Sequence, residues 1–101
     1  MEKLIGQVSK EQIESWKQQY GDIYAIKVDG HICYLRAPDR KTLSYATTVG
    51  SKDAIRFNEI LLNNCWLGGS DEIKTNDSLF LSVSGKLAEI IEVKEAELVK
   101  F

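Results

Sequence analysis

The stretch IYAIKVDGHICYLR, residues 23–36, decides the fold. Two runs of strand-forming residues, 23–28 and 31–36, flank Asp29-Gly30. A two-residue type I′ turn needs positive φ at both central positions, and Asp-Gly tolerates this well. Such a turn sets the register: Val28 faces His31, Ile26 faces Cys33 and Tyr24 faces Leu35. Directly opposed residues share a face, which leaves Ile23, Ala25, Ile32 and Tyr34 on the other. Both faces carry apolar side chains. An isolated hairpin is marginal in water, so helices must cover one face fully and the other in part.

Upstream, Ser9 and Gln12 have the spacing of a capping box. Ile13, Trp16 and Tyr20 follow at helical intervals, and Gly21 suits the residue after a helix end. The first helix is expected over about residues 10–20. Downstream, Pro38 ends the second strand and Asp39 can cap a helix over residues 40–49, with Leu43, Ala46 and Val49 as its weak stripe. Gly50 breaks it, and Ser51 or Asp53 opens a stronger helix carrying Ile55, Ile60, Leu61 and Leu62 toward Cys65 and Trp66. Gly68-Gly69 reads as a turn that stops it. Residues 71–75 form a polar connection. Asn76 or Asp77 caps a last helix with the stripe Leu79, Phe80, Val83, Leu87, Ile90 and Ile91. Gly85 inside it costs about 1 kcal/mol relative to alanine, for which a close backbone contact would be a reason. The charged residues beyond Ile91 extend this helix toward Phe101. The expectation is an α+β fold: an N-terminal helix, a two-stranded β-hairpin, then two to three helices including a long C-terminal helix, all in one domain over residues 1–101.

Thirteen basic and fifteen acidic residues give a net charge of −2. A nucleic-acid binder ordinarily presents a basic face to phosphates, so nucleic acid is not the expected partner. Apolar runs fall short of the roughly 20 residues that span a bilayer, and residues 1–5 lack the apolar core of a secretion signal. The chain is expected in the cytoplasm. There Cys33 and Cys65 read as two free, partly buried thiols.

Few residues suit chemistry. His31 is the only histidine, too few for a His-pair metal site, and it reads as an exposed strand-end residue. Cys33 shares its face by simple alternation, which is no sign of a catalytic pair. Gly68-Gly69-Ser70 lacks the lysine and the longer glycine pattern of a phosphate loop. Acids near the end alternate with Lys86, Lys94 and Lys100, as on a solvated face. Two features suit contact with another protein. Arg36, Arg40 and Lys41 bracket Pro38 as a basic cluster, which serves either as a solvated loop or as a contact for an acidic partner or a phosphate. Trp66 and Leu67, before two glycines, serve either as core or as an interface anchor. Trp66, Leu67, Arg36 and Arg40 are therefore the candidate protein-binding residues. No catalytic, cofactor or metal residue is assigned, and the chain is not read as an enzyme.

Four stretches carry a resemblance: Trp16-Lys17 to Tyr20-Gly21, the exit Tyr34-Leu35-Arg36-Ala37-Pro38, Asn63-Asn64-Cys65-Trp66-Leu67-Gly68-Gly69, and Ser84-Gly85-Lys86-Leu87-Ala88-Glu89-Ile90-Ile91. In this order they resemble the tail assembly chaperone-like proteins encoded among phage and prophage tail genes. The resemblance spans about residues 9–101. It implies a protein that binds the tape measure protein, keeps its long helical apolar surface dispersed and helps tail tube subunits gather around it, with no cofactor. A holdase of this kind calls for a groove between the hairpin and the helices. Such a protein would be a monomer or small oligomer. Two alternatives stay open: a small mobile-element protein that inhibits a host factor, and a minor structural virion subunit.

Overall fold

The computed structural model describes residues 4–91 and 96–101. It is α+β, with five α-helices and one three-stranded antiparallel sheet among the described residues. The order is α1 (Lys10–Tyr20), β1 (Ile23–Val28), β2 (His31–Arg36), α2 (Arg40–Val49), α3 (Ala54–Cys65), β3 (Trp66–Gly69), α4 (Glu72–Thr75) and α5 (Asp77–Leu87). A 3₁₀ turn, Ala88–Ile90, prolongs α5.

The hairpin has the register that its turn dictates, from Val28↔His31 to Ile23↔Arg36. Asp29 and Gly30 both take positive φ, 44° and 78°, as a type I′ turn requires. Local capping accounts for the helix starts. The Ser9 side chain accepts from the Gln12 N–H, Asp39 from Thr42, Asp53 from Ile55 and Arg56, and Asn76 from Leu79. Each satisfies donors that a helix leaves unpaired at its first turn.

The two faces of the hairpin meet different neighbours. Ile26, Cys33 and Leu35 enter one apolar core with Ala46 of α2, Leu61 and Cys65 of α3, Ile73 of α4 and Val83 and Leu87 of α5. On the opposite face Tyr34 and Ile32 are also buried. There α1 lays Trp16 across the sheet, its ring centre 5.6 Å from that of Tyr34. Helix α1 has no buried residue of its own, so Trp16 is its main attachment. Val49 and Ile55, assigned to apolar stripes above, are instead exposed.

The stretch read as a stop for α3 is a strand. Residues 66–69 form β3 and pair with β2: Cys33 opposes Gly69, Tyr34 opposes Gly68 and Leu35 opposes Trp66. The offset leaves Leu67 as the extra residue of a β-bulge. Two glycines weaken any strand pattern in a sequence, yet this strand depends on them. A Cβ on Gly69 would lie 2.5 Å from the Cys33 Cα, and one on Gly68 would lie 3.0 Å from the Trp16 ring. Beyond β3 the remaining β2 edge is taken by Ile5, which bridges to His31 in parallel.

The last helix is shorter than expected. Residues 96–101 have no regular structure, so the helix does not reach Phe101; the part of that expectation covering residues 92–95 lies outside the described residues. The apolar stripe ends at Ile91, and without a face to bury a helix in water is poorly sustained. Gly85 has no close neighbour: a Cβ there would meet nothing within 4 Å. The expected backbone contact is not found among the described residues. No helix among the described residues is long and apolar enough to cross a membrane.

These glycines make opposite predictions. Gly85→Ala should raise stability by about 0.5–1 kcal/mol, because it removes chain entropy at an open helical site. Gly69→Ala, at φ 132° against the β2 backbone, should lower it by at least about 2 kcal/mol. Urea unfolding midpoints at constant slope measure both.

Candidate protein-binding site

The four candidate residues occupy one end of the sheet without forming one surface. Arg36 ends β2, and its guanidinium donates to the Asn64 carbonyl at 2.9 Å and more weakly to that of Ala37 at 3.4 Å. It thereby ties the strand exit to the end of α3. Arg36 also lines a shallow depression of about 410 Å³ with Asp39, Lys41, Thr42, Tyr45 and Asn64. Neither Arg40, Trp66 nor Leu67 lines that depression. Arg40 is exposed at the first position of α2. Trp66 is half-buried against the core, and the Lys74 ammonium sits 4.3 Å above its ring. Of the two alternatives raised for Trp66, the packing side is seen: the ring packs against the core and the Lys74 cation lies over it.

The Asp39 carboxyl in this depression is held below its usual range. Its hydrogen bond from the Thr42 N–H is the largest cause, with the Thr42 side chain next and the Arg36 charge assisting. Asp39 and Arg36 are both engaged in holding elements together, which weakens the case for a free anion-binding cluster.

His31 differs from its expectation as an exposed residue: it is buried. Its Nδ1 shares a 2.8 Å hydrogen bond with Ser70 Oγ, and its Nε2 lies 3.8 Å from Glu72 Oε2. Serine, histidine and a carboxylate invite comparison with a nucleophile relay. Ser70 is only 4% exposed, however, and its N–H is bound to the Ile32 carbonyl. A substrate would meet Ser70 Oγ only if the end of β3 opened. As placed, the network closes the seam where β2, β3 and the Ile5 bridge meet.

Both cysteines are free and fully buried. Burial pushes the Cys33 thiol up to about 11, opposed in part by a hydrogen bond with the Ile26 backbone. Burial also raises Cys65, while nearby Arg36 works against it. Neither is a poised thiolate. No group of three or more metal-ligating side chains occurs among the described residues.

A different surface was not singled out from the sequence. Residues 24–27 of β1 and Lys86, Glu89 and Ile90 of the α5 end enclose a groove of about 400 Å³. Its floor is apolar, and its rim carries two lysines and a glutamate, with Lys86 and Glu89 paired at 3.4 Å. One wall is the outer strand of the sheet. The signal in the sequence was the exposed alternation Ala25, Lys27 along β1, which reads as an ordinary solvent face until the strand order is known.

No family model matches the chain, and no curated protein or solved structure matches it either.

The thiols provide a check on the packing. Cys33 and Cys65 in the folded chain should react with a disulfide reagent at pH 8 at least about a hundredfold more slowly than in denaturant. Stability should also fall as pH rises from about 9 to about 11. In that window the unfolded chain loses the Cys33 proton while the folded chain keeps it. Cys33→Ala should flatten this decline in an alkaline unfolding series.

Proposed function

We propose that this chain is a protein-binding module acting as an assembly chaperone in a phage or prophage tail, in the cytoplasm, where it shields the tape measure protein. Its work is binding; no catalytic step is assigned to it. The observation that carries the proposal is the groove between β1 and α5, with an apolar floor, a charged rim and a strand edge along one wall. A groove between a hairpin and a helix suits an apolar segment of another chain, either a helix laid against the floor or a strand added to the edge. The order of sequence features shared with tail assembly chaperone-like proteins supports the identity of the client. Arg36, Arg40, Trp66 and Leu67, which do not form one surface, remain separate secondary contacts for tube subunits.

Co-expression tests this directly. The chain should raise the soluble yield of a tape measure protein encoded beside it and co-purify with it. Ala25→Pro, which obstructs the outer edge of β1 without removing a bond to β2, should reduce co-purification at least about tenfold. Failure of the unmodified chain to retain the tape measure protein would overturn the proposal.

A further inference from the structure

Backbone groups along β1 alternate in direction. Val28 and His31 flank the two-residue turn, so Tyr24, Ile26 and Val28 bond to β2. Ile23, Ala25 and Lys27 then turn their N–H and C=O groups away from it. Strand β2 checks this independently: the Ile32 N–H donates to the Ile5 carbonyl and the Ile32 carbonyl accepts from the Ser70 N–H. Ile32 therefore points away from β1, and so does Lys27 opposite it. The outward groups of Ala25 and Lys27 have no hydrogen-bond partner among the described residues. Such an edge is a template for another strand.

A candidate strand stands unpacked in the same chain. Residues 96–101, Ala-Glu-Leu-Val-Lys-Phe, have no regular structure. Leu98 is 97% exposed, Val99 57%, and Phe101 fully. Three large apolar residues within four positions are a costly thing to leave in water. Extended, the segment places Glu97, Val99 and Phe101 on one side and Ala96, Leu98 and Lys100 on the other.

We propose that segment 96–101 of a second copy of this chain adds to β1 as a fourth strand. Val99 and Phe101 cover the groove floor of Tyr24, Ile26 and Ile90, while Leu98 covers Ala25. One charge pairing agrees: Glu97, on the groove side of the added strand, meets Lys86 on the rim. The occupant comes from another copy because the segment stands clear of its own chain, each of its residues being exposed. The same groove serves the client in the function proposed above. The inference rests on that surface, so self-association would hold the groove closed until a client displaces the segment.

Sedimentation of the full chain from roughly 5 to 500 μM tests this, since a six-residue strand addition lies at the small end of specific interfaces and is weak. The average mass should rise with concentration beyond that of one chain. Leu98→Asp changes a fully solvated side chain and should leave the melting midpoint unaltered while weakening association at least about tenfold. Ala25→Pro should do the same from the other side of the contact. A monomer at every concentration overturns the inference, as does association that Leu98→Asp leaves intact. A monomer whose segment 96–101 resists proteolysis overturns it too, because the segment would then dock in its own chain. Loss of self-association with client capture intact sinks this inference alone. Loss of client capture with self-association intact sinks the proposed function alone.

Discussion

Strand β2 is enclosed on every side, and the rest of the molecule is arranged around that enclosure. One edge is bonded to β1 along its whole length; the other is shared by β3 and Ile5. Cys33 and Leu35 are completely buried on the helical face, and Ile32 and Tyr34 are buried beneath α1 and residues 5–8 on the other, where the Tyr34 hydroxyl accepts from the Val8 N–H. A strand with no exposed face needs paired backbone groups throughout, because a buried unpaired N–H or C=O costs as much as a lost hydrogen bond. Two short, irregular partners meet that need at the outer edge. Glycine lets them come close enough: a Cβ on Gly6 would lie 2.2 Å from the Ser70 nitrogen.

Enclosing β2 leaves β1 as the exposed strand. The helices α2, α3 and α5 gather over Cys33 and Leu35; of the three, α5 makes the main contact with β1, while α1 packs on it as well. The groove is the consequence: a layer of helices narrower than the sheet it covers. The proposed function and the proposed contact between copies use this one geometrical remainder. Natural sheets protect such edges with charge, and Lys27 on the strand with Lys86 beside it does so here. That charge does not bar a partner segment that brings a carboxylate such as Glu97.

The hairpin was legible because a two-residue Asp-Gly turn admits one register, and that register places every side chain on its face. Helix starts were legible because Ser9, Asp39 and Asn76 stand three or four residues before the first apolar residue of each stripe and bond as caps do. Strand β3 was not legible. Its residues Trp66-Leu67-Gly68-Gly69 satisfy a tertiary need for close approach, and glycine chosen for proximity looks in sequence like glycine chosen for a turn. His31 was misplaced for the same reason. Beside a hairpin turn it should meet water, but Ile5 and Ser70 arrive from 26 and 39 residues away to cover it. Arg36 and Trp66 were found as residues of interest, and both bind the scaffold together more than they project from it. The groove could not be read at all, since it exists only once strand order is known.

The central claim is that the outward backbone groups of Ala25 and Lys27 on β1 find no partner among the described residues while the inner edge of the strand is bonded to β2. Residue-resolved amide hydrogen exchange, on chain dilute enough to be monomeric, addresses it most directly. The account predicts alternation along one strand: Ile26 and Val28 protected close to the level of global unfolding, Ala25 and Lys27 exchanging orders of magnitude faster. Equal protection at all four positions in the monomer would contradict it, because some part of the chain would then already cover the edge.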